Sequence, residues 1–149
     1  MTATQITESL YIGDILDVRQ GKTSDFDHIV TVCQDNVQAN VSGDYDFFCL
    51  SDGPAKQMGH NPGEYSYELL SEAIGTVVDS LREGNTILVH CHAGQSRSAT
   101  VCVAALAIYE DISWDESFNR LRTARPSINP VPELISDGKK YVQEQKEAT

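Results

Sequence analysis

The chain alternates short apolar runs with polar breaks marked by glycine and proline. Ser9–Gly13, "SLYIG", predicts a short strand closed by Gly13, and His28–Cys33, "HIVTVC", is β-branched and apolar and predicts a buried one. Tyr45–Leu50, "YDFFCL", predicts a third. Leu70, Ile74, Val77 and Leu81 recur at helical spacing and predict an amphipathic helix that stops at Gly84. Its expected start has Asn61 as N-cap, Pro62 at the first helical position and Glu64 at the capping-box position. Thr86–His90, "TILVH", is continuously apolar, as in a central strand buried on both faces. Ser98–Tyr109 is apolar all round and predicts a core helix. Ser113 with Glu116 forms a second capping-box pattern, opening a helix with the stripe Trp114, Phe118 and Leu121. Pro126, Pro130 and Pro132 break the chain before a last helix, expected from about Val131 to Gln145. Strands interleaved with helices predict an α/β fold, a central, mainly parallel sheet flanked by helices. At 149 residues, with no repeat or linker, residues 1–149 are expected to form a single domain.

Composition narrows the picture. No apolar run approaches the roughly 18–20 residues of a membrane span. The N-terminus has no basic start followed by an apolar stretch, so a soluble, cytoplasmic protein is expected. Acidic residues number 22 and basic residues 11, for a formal charge of -11. Such a surface repels nucleic-acid backbones and anionic lipids, so neither is an expected partner. It suits an ordinary acidic protein or one adapted to high salt; a fold indifferent to removal of KCl would argue against the halophilic reading. Of the four cysteines, Cys33, Cys49 and Cys102 sit in apolar runs, as small hydrophobes do. Cys91 differs, being followed by small and polar residues, which suits a reducing compartment with one special thiol.

That thiol opens the loop Cys91-His92-Ala93-Gly94-Gln95-Ser96-Arg97, between the predicted central strand and core helix. A strand that turns into a helix through such a loop gathers backbone N–H groups around one point, and the helix adds its positive end. Gly94 permits positive φ, Ala93 and Ser96 keep the concavity open, and Arg97 offers a planar fork for two phosphate oxygens. The same groups favour the thiolate form of Cys91, aligned beneath a phosphoryl group for in-line attack. This chemistry needs no metal and no cofactor. Taken singly, a cysteine at a strand end is usually packing and an arginine near a helix start is usually a surface residue. The joint pattern is far more specific.

The pattern His90-Cys91-x-x-Gly94-x-x-Arg97-Ser98 resembles the signature of the cysteine-based protein phosphatases, in particular the dual-specificity branch. "ITESLYIGDILDV" is similar to that family's opening strand and turn, and "ARPSINP" to its segment before the last helix. The resemblance implies that Cys91 attacks phosphorus and becomes a phosphocysteine, that Arg97 holds the phosphoryl oxygens, and that Ser98 assists departure of the thiolate. It implies that His90 orients the loop from behind and favours the Cys91 thiolate. His92, Ala93, Gly94, Gln95 and Ser96 would bind phosphate through their backbone N–H groups, His92 adding charge only when protonated.

A general acid is also needed. Asp52 follows "YDFFCL" at the start of a long loop, Ser51–Gly63, where α/β sites collect their residues, and the family places its acid correspondingly. The bland reading of Asp52 is a turn residue in "SDG". His60 is an alternative acid, while Asp44 and Asp46 are expected to face solvent. In the family it resembles, enzymes acting on inositol phosphates tend to carry lysine in this loop; Cys91–Arg97 has none, which with the net charge argues against phosphoinositides and RNA ends. A monomeric enzyme acting on phosphotyrosine and phosphoserine or phosphothreonine in proteins is the default. Arg120, Arg122 and Arg125 form either a basic guide for acidic phosphopeptides or a helix face balancing acidic residues elsewhere. A rhodanese-like sulfurtransferase also carries a cysteine in a cradle loop. A phosphopeptide-binding pseudophosphatase normally lacks the cysteine or the arginine, and both are present here.

Overall fold

The computed structural model describes residues 3–21, 23–51 and 65–148. Its elements run β1 (Thr4–Gln5), β2 (Leu10–Gly13), α1 (Ile15–Gln20), β3 (His28–Thr31), β4 (Asp44–Phe47), α2 (Tyr67–Arg82), β5 (Ile87–His90), α3 (Arg97–Tyr109), α4 (Trp114–Ala124) and α5 (Pro132–Glu147). The strands form one sheet in the order β1-β2-β5-β3-β4. All neighbours are parallel except β1, which pairs antiparallel with β2. The expected mainly parallel α/β sheet is therefore present, with one antiparallel edge.

Burial follows the residue pattern. Every residue of β3 and β5 is buried, as central strands covered on both faces require. In β5, Ile87 and Val89 face the larger core, shared with α2, α3, α4 and α5, while Leu88 joins Ile29, Ile15 and Val18 under α1. β4 is an edge strand and mostly exposed. On its outward side Asp46 pairs with the buried ring of His28, Oδ2 to Nε2 at 2.7 Å, and Ser80 meets the other ring nitrogen at 2.7 Å. His28 opens β3, Asp46 is the third residue of β4 and Ser80, near the end of α2, is sealed from solvent, so this Ser-His-Asp arrangement serves packing.

Several expected boundaries change. Asn61, Pro62 and Glu64 lie outside the described residues. The α2 helix begins at Tyr67, with Ser66 as its cap, its hydroxyl accepting from the Leu69 N–H. At its other end Gly84 adopts φ +84, the left-handed stop expected there. Two short elements were not foreseen: β1 and α1. The latter is set by a capping box in which Asp14 and Asp17 each accept the other's backbone N–H. The arginine group does not form one basic face. Arg120 pairs with Glu110 and Glu116, Arg122 lies over the Phe118 ring, and Arg125 is buried.

Candidate active site

The C-terminal end of β5 delivers Cys91, buried, to the start of the loop. Gly94 adopts φ +68, and this turn brings its N–H back to Cys91 Sγ at 3.2 Å. Ser98, in the first turn of α3, places its hydroxyl 3.2 Å from the same sulfur. The thiol thus lies between a backbone donor and a hydroxyl able to donate.

The surroundings hold the loop by its carbonyls. The His92 carbonyl accepts from Ile15 N–H at 3.1 Å, Gly94 from Arg125 Nε at 3.1 Å and Gln95 from Asn129 N–H at 2.6 Å. The Ser96 carbonyl accepts from the Thr100 amide and hydroxyl, both at 2.9 Å. In a trans peptide the next N–H points opposite to the carbonyl. The N–H groups of Ala93, Gln95, Ser96 and Arg97 are thereby turned away from the scaffold groups that hold these carbonyls. The result is an anion cradle at the N-terminus of α3. Arg97 Nη1 donates to Gln34 Oε1 and to the Leu50 carbonyl, each at 3.1 Å, so the guanidinium is already anchored at the site.

Behind the thiol, His90 Nε2 lies 2.6 Å from Thr31 Oγ1, which lies 2.7 Å from Tyr45 Oη. The Val37 N–H donates to Tyr45 Oη at 3.0 Å, and His90 Nδ1 faces the Cys91 carbonyl at 3.3 Å. One proton arrangement satisfies the whole chain. Tyr45 donates to Thr31, Thr31 to His90 Nε2, and His90 Nδ1–H to Cys91 O. Burial pushes the His90 pKa down to about 4, the carbonyl contact opposing it only in part. His90 is therefore neutral near pH 7. It positions the Cys91 carbonyl but does not present a full positive charge to the sulfur.

A stability effect follows. His90 takes a proton at its ordinary 6.5 when unfolded, but only at about 4 when folded. From pH 6.5 down to 4 the unfolded state binds more protons, so stability is full above that window and falls through it by about 3 kcal/mol. Urea unfolding should show this excess loss in the wild type relative to a His90→Asn variant. Parallel profiles for the two would refute it.

Other expected residues separate. The His92 side chain is 62% exposed and turns outward to Asp35, 3.2 Å away. Asp35 also accepts weakly from the Cys33 thiol at 3.8 Å. Cys33 and Cys102 are fully buried, and burial pushes both thiols well above their usual range, Cys33 to about 12. Asp46 pairs with His28 rather than simply facing solvent. Asp52 and His60 lie outside the described residues. Sequence reasoning missed Thr31, Gln34, Asp35, Tyr45 and the inward role of Arg125. Only Arg125 had a signal, its place in "ARPSINP".

A sulfur nucleophile under an N–H cradle with an arginine fork, on an α/β sheet, defines a cysteine-based protein phosphatase domain. The model of the dual specificity phosphatase catalytic domain matches residues 10–143, and the chain belongs to that family. It is 30% identical over 129 residues to dual specificity protein phosphatase 22 of Xenopus tropicalis, covering 85% of this chain and 58% of that relative. It is also 30% identical over 131 residues to human dual specificity protein phosphatase 14, covering 85% and 62%. The chain thus spans about three fifths of the length of these curated relatives. The fold matches the crystal structure of human DUSP28 with a TM-score of 0.78 and 24% identity, covering 97% of this chain and 95% of that one.

Proposed function

We propose that residues 1–149 act as one catalytic domain that hydrolyses phosphotyrosine and phosphoserine or phosphothreonine monoesters in proteins. The observation that carries this is the placement of Cys91 Sγ under the Gly94 N–H and beside Ser98 Oγ, in a loop whose carbonyls are bound by the surrounding scaffold. In the first step a sulfur lone pair attacks phosphorus, the P–O bond to the leaving group breaks, and that oxygen takes a proton from the Asp52 carboxyl. Charge on the transferring group is met by the loop N–H groups and Arg97. In the second step water attacks the phosphocysteine, the Asp52 carboxylate takes its proton, and the S–P bond breaks. Ser98 donates a hydrogen bond to the departing thiolate. Support for Asp52 comes from Leu50, two residues earlier, whose carbonyl already touches Arg97.

The test is turnover of para-nitrophenyl phosphate, inhibited by vanadate and unaffected by EDTA. Thiosulfate–cyanide activity without phosphatase activity would favour a sulfurtransferase instead. Asp52→Asn should lower kcat by about 10²–10³-fold for phosphotyrosine and less for substrates with acidic leaving groups. Unchanged phosphotyrosine hydrolysis would reassign the acid, with His60 and Asp35 next to be examined. We further place the enzyme, as a monomer, in a cytoplasmic setting, whose reducing character is supported by the thiols of Cys33, Cys91 and Cys102.

A further inference from the structure

Arg125 lies outside the loop, at the C-terminal end of α4, and is buried with only 6% of its surface exposed. A buried guanidinium is costly unless its donors are met and its charge is balanced or useful. Its Nε donates to the Gly94 carbonyl at 3.1 Å and its Nη1 to Thr4 Oγ1 of β1 at 2.8 Å. Its Nη2 packs over Gly94 itself: a Cβ built there would stand 2.7 Å from that nitrogen and 2.7 Å from the Gly13 carbonyl oxygen. Nearby, Asp17 is buried and one of its oxygens has no hydrogen-bond partner; burial raises its pKa, and the Arg125 charge opposes that only in part. The arginine is therefore held between the edge strand β1 and the back of the loop.

The Gly94 residue links this scaffold to the chemistry. Its N–H points at Cys91 Sγ, and its carbonyl is gripped by Arg125. In the trans Gly94–Gln95 peptide, gripping the carbonyl fixes the Gln95 N–H in the opposite direction. A cation on the carbonyl side also polarises that peptide and strengthens its N–H as a donor.

We propose that Arg125 is a positioning residue for the phosphatase reaction: through the Gly94 carbonyl it aims and polarises the Gln95 N–H toward the phosphoryl group, with Thr4 holding the guanidinium in place. The inference rests on the reading of loop 91–97 as the phosphate cradle. Arg125 does not touch substrate. It accounts for a buried cation in a chain of net charge -11, and for a left-handed glycine pressed against a guanidinium.

The test compares wild type with Arg125→Gln, Arg125→Lys and Thr4→Val. Tungstate affinity, kcat/KM for para-nitrophenyl phosphate and the Gln95 amide proton shift on adding tungstate are measured together. In Arg125→Gln, tungstate binding and kcat/KM should each fall about tenfold, and the tungstate-induced shift of Gln95 should shrink. Arg125→Lys keeps the charge with one donor direction and should lie between. Thr4→Val leaves the Gly94 contact but frees the guanidinium, and should cost about threefold. A folded Arg125→Gln with tungstate affinity within twofold of wild type and an unaltered Gln95 shift would overturn the proposal. If the Arg125 variants fail to fold, Thr4→Val decides. Weaker tungstate binding with a smaller Gln95 shift supports the proposal, and wild-type behaviour leaves Arg125 a purely structural residue and overturns it. If wild type itself neither binds tungstate nor turns over, the phosphatase reading fails first, a separate and recognisable result.

Discussion

Cys91→Ser should abolish turnover of every phosphomonoester while leaving oxyanion binding intact. The hydroxyl of a serine at this position remains an acceptor for the Gly94 N–H, which reaches Cys91 Sγ at 3.2 Å, so the loop keeps its shape. It is not a nucleophile, because nothing beside it removes its proton. Neutral His90 is committed to Thr31 and the Cys91 carbonyl, and the Ser98 hydroxyl, 3.2 Å from the sulfur, is too weak a base to take the proton. Loss of the nucleophile should lower kcat by at least about 10⁴-fold. Binding should move the other way or not at all. The exchange puts a smaller, neutral hydroxyl beneath the bound oxyanion, while the loop N–H groups and Arg97 stay in place. Isothermal titration with inorganic phosphate should give an affinity equal to or tighter than that of the wild type. Residual turnover within a hundredfold of wild type would show that the phosphoryl group is attacked by something other than Cys91.

What the sequence made legible is what depends on local periodicity. β3 and β5 are apolar at nearly every position because both faces are covered, and α3 is apolar all round because α2, α4 and α5 surround it. The loop between them was readable because a strand end, a left-handed glycine and a helix start fall within a few residues. Short elements carried no comparable signal. β1 spans two residues and α1 six, too few for a repeat, although Asp14 and Asp17 mark the cap in retrospect. The rear of the site was hidden for another reason. Thr31, Tyr45 and Arg125 reach His90 and Gly94 only through sheet register and helix packing, across long stretches of chain. Thr31 aligns with His90 because β3 and β5 run parallel in that register, a fact absent from either segment alone. The role of His90 likewise depends on burial: the residue was visible, but its neutrality was not.

Gly94→Ala should damage stability and catalysis together, and by more than a methyl group costs elsewhere. At φ +68 an alanine is strained by about 1–2 kcal/mol whatever its surroundings. Here the surroundings are also closed. The new Cβ would lie 2.7 Å from the Gly13 carbonyl oxygen and 3.0 Å from its carbon, both backbone atoms of β2, and 2.7 Å from Arg125 Nη2. The guanidinium can shift, but the β2 backbone is fixed by its pairing with β5, where Gly13 lies opposite His90. The loop must therefore move outward, which lengthens the Gly94 N–H contact to the sulfur and breaks the Arg125 contact to the Gly94 carbonyl. Overpacking of this kind adds about 1–3 kcal/mol to the strain, so a total loss of about 2–5 kcal/mol is expected in urea unfolding. A displacement of even about 1 Å in an oriented site costs about 10²-fold in rate, and kcat/KM for para-nitrophenyl phosphate should fall by at least that factor in the folded variant. Gly84→Ala is the control: it shares the left-handed backbone, φ +84, but has nothing within 4 Å of the added carbon and lies at the far end of α2. It should show the backbone strain alone and keep its activity. Equal losses of activity in the two variants would mean that left-handed strain, not closure around Gly94, sets the effect.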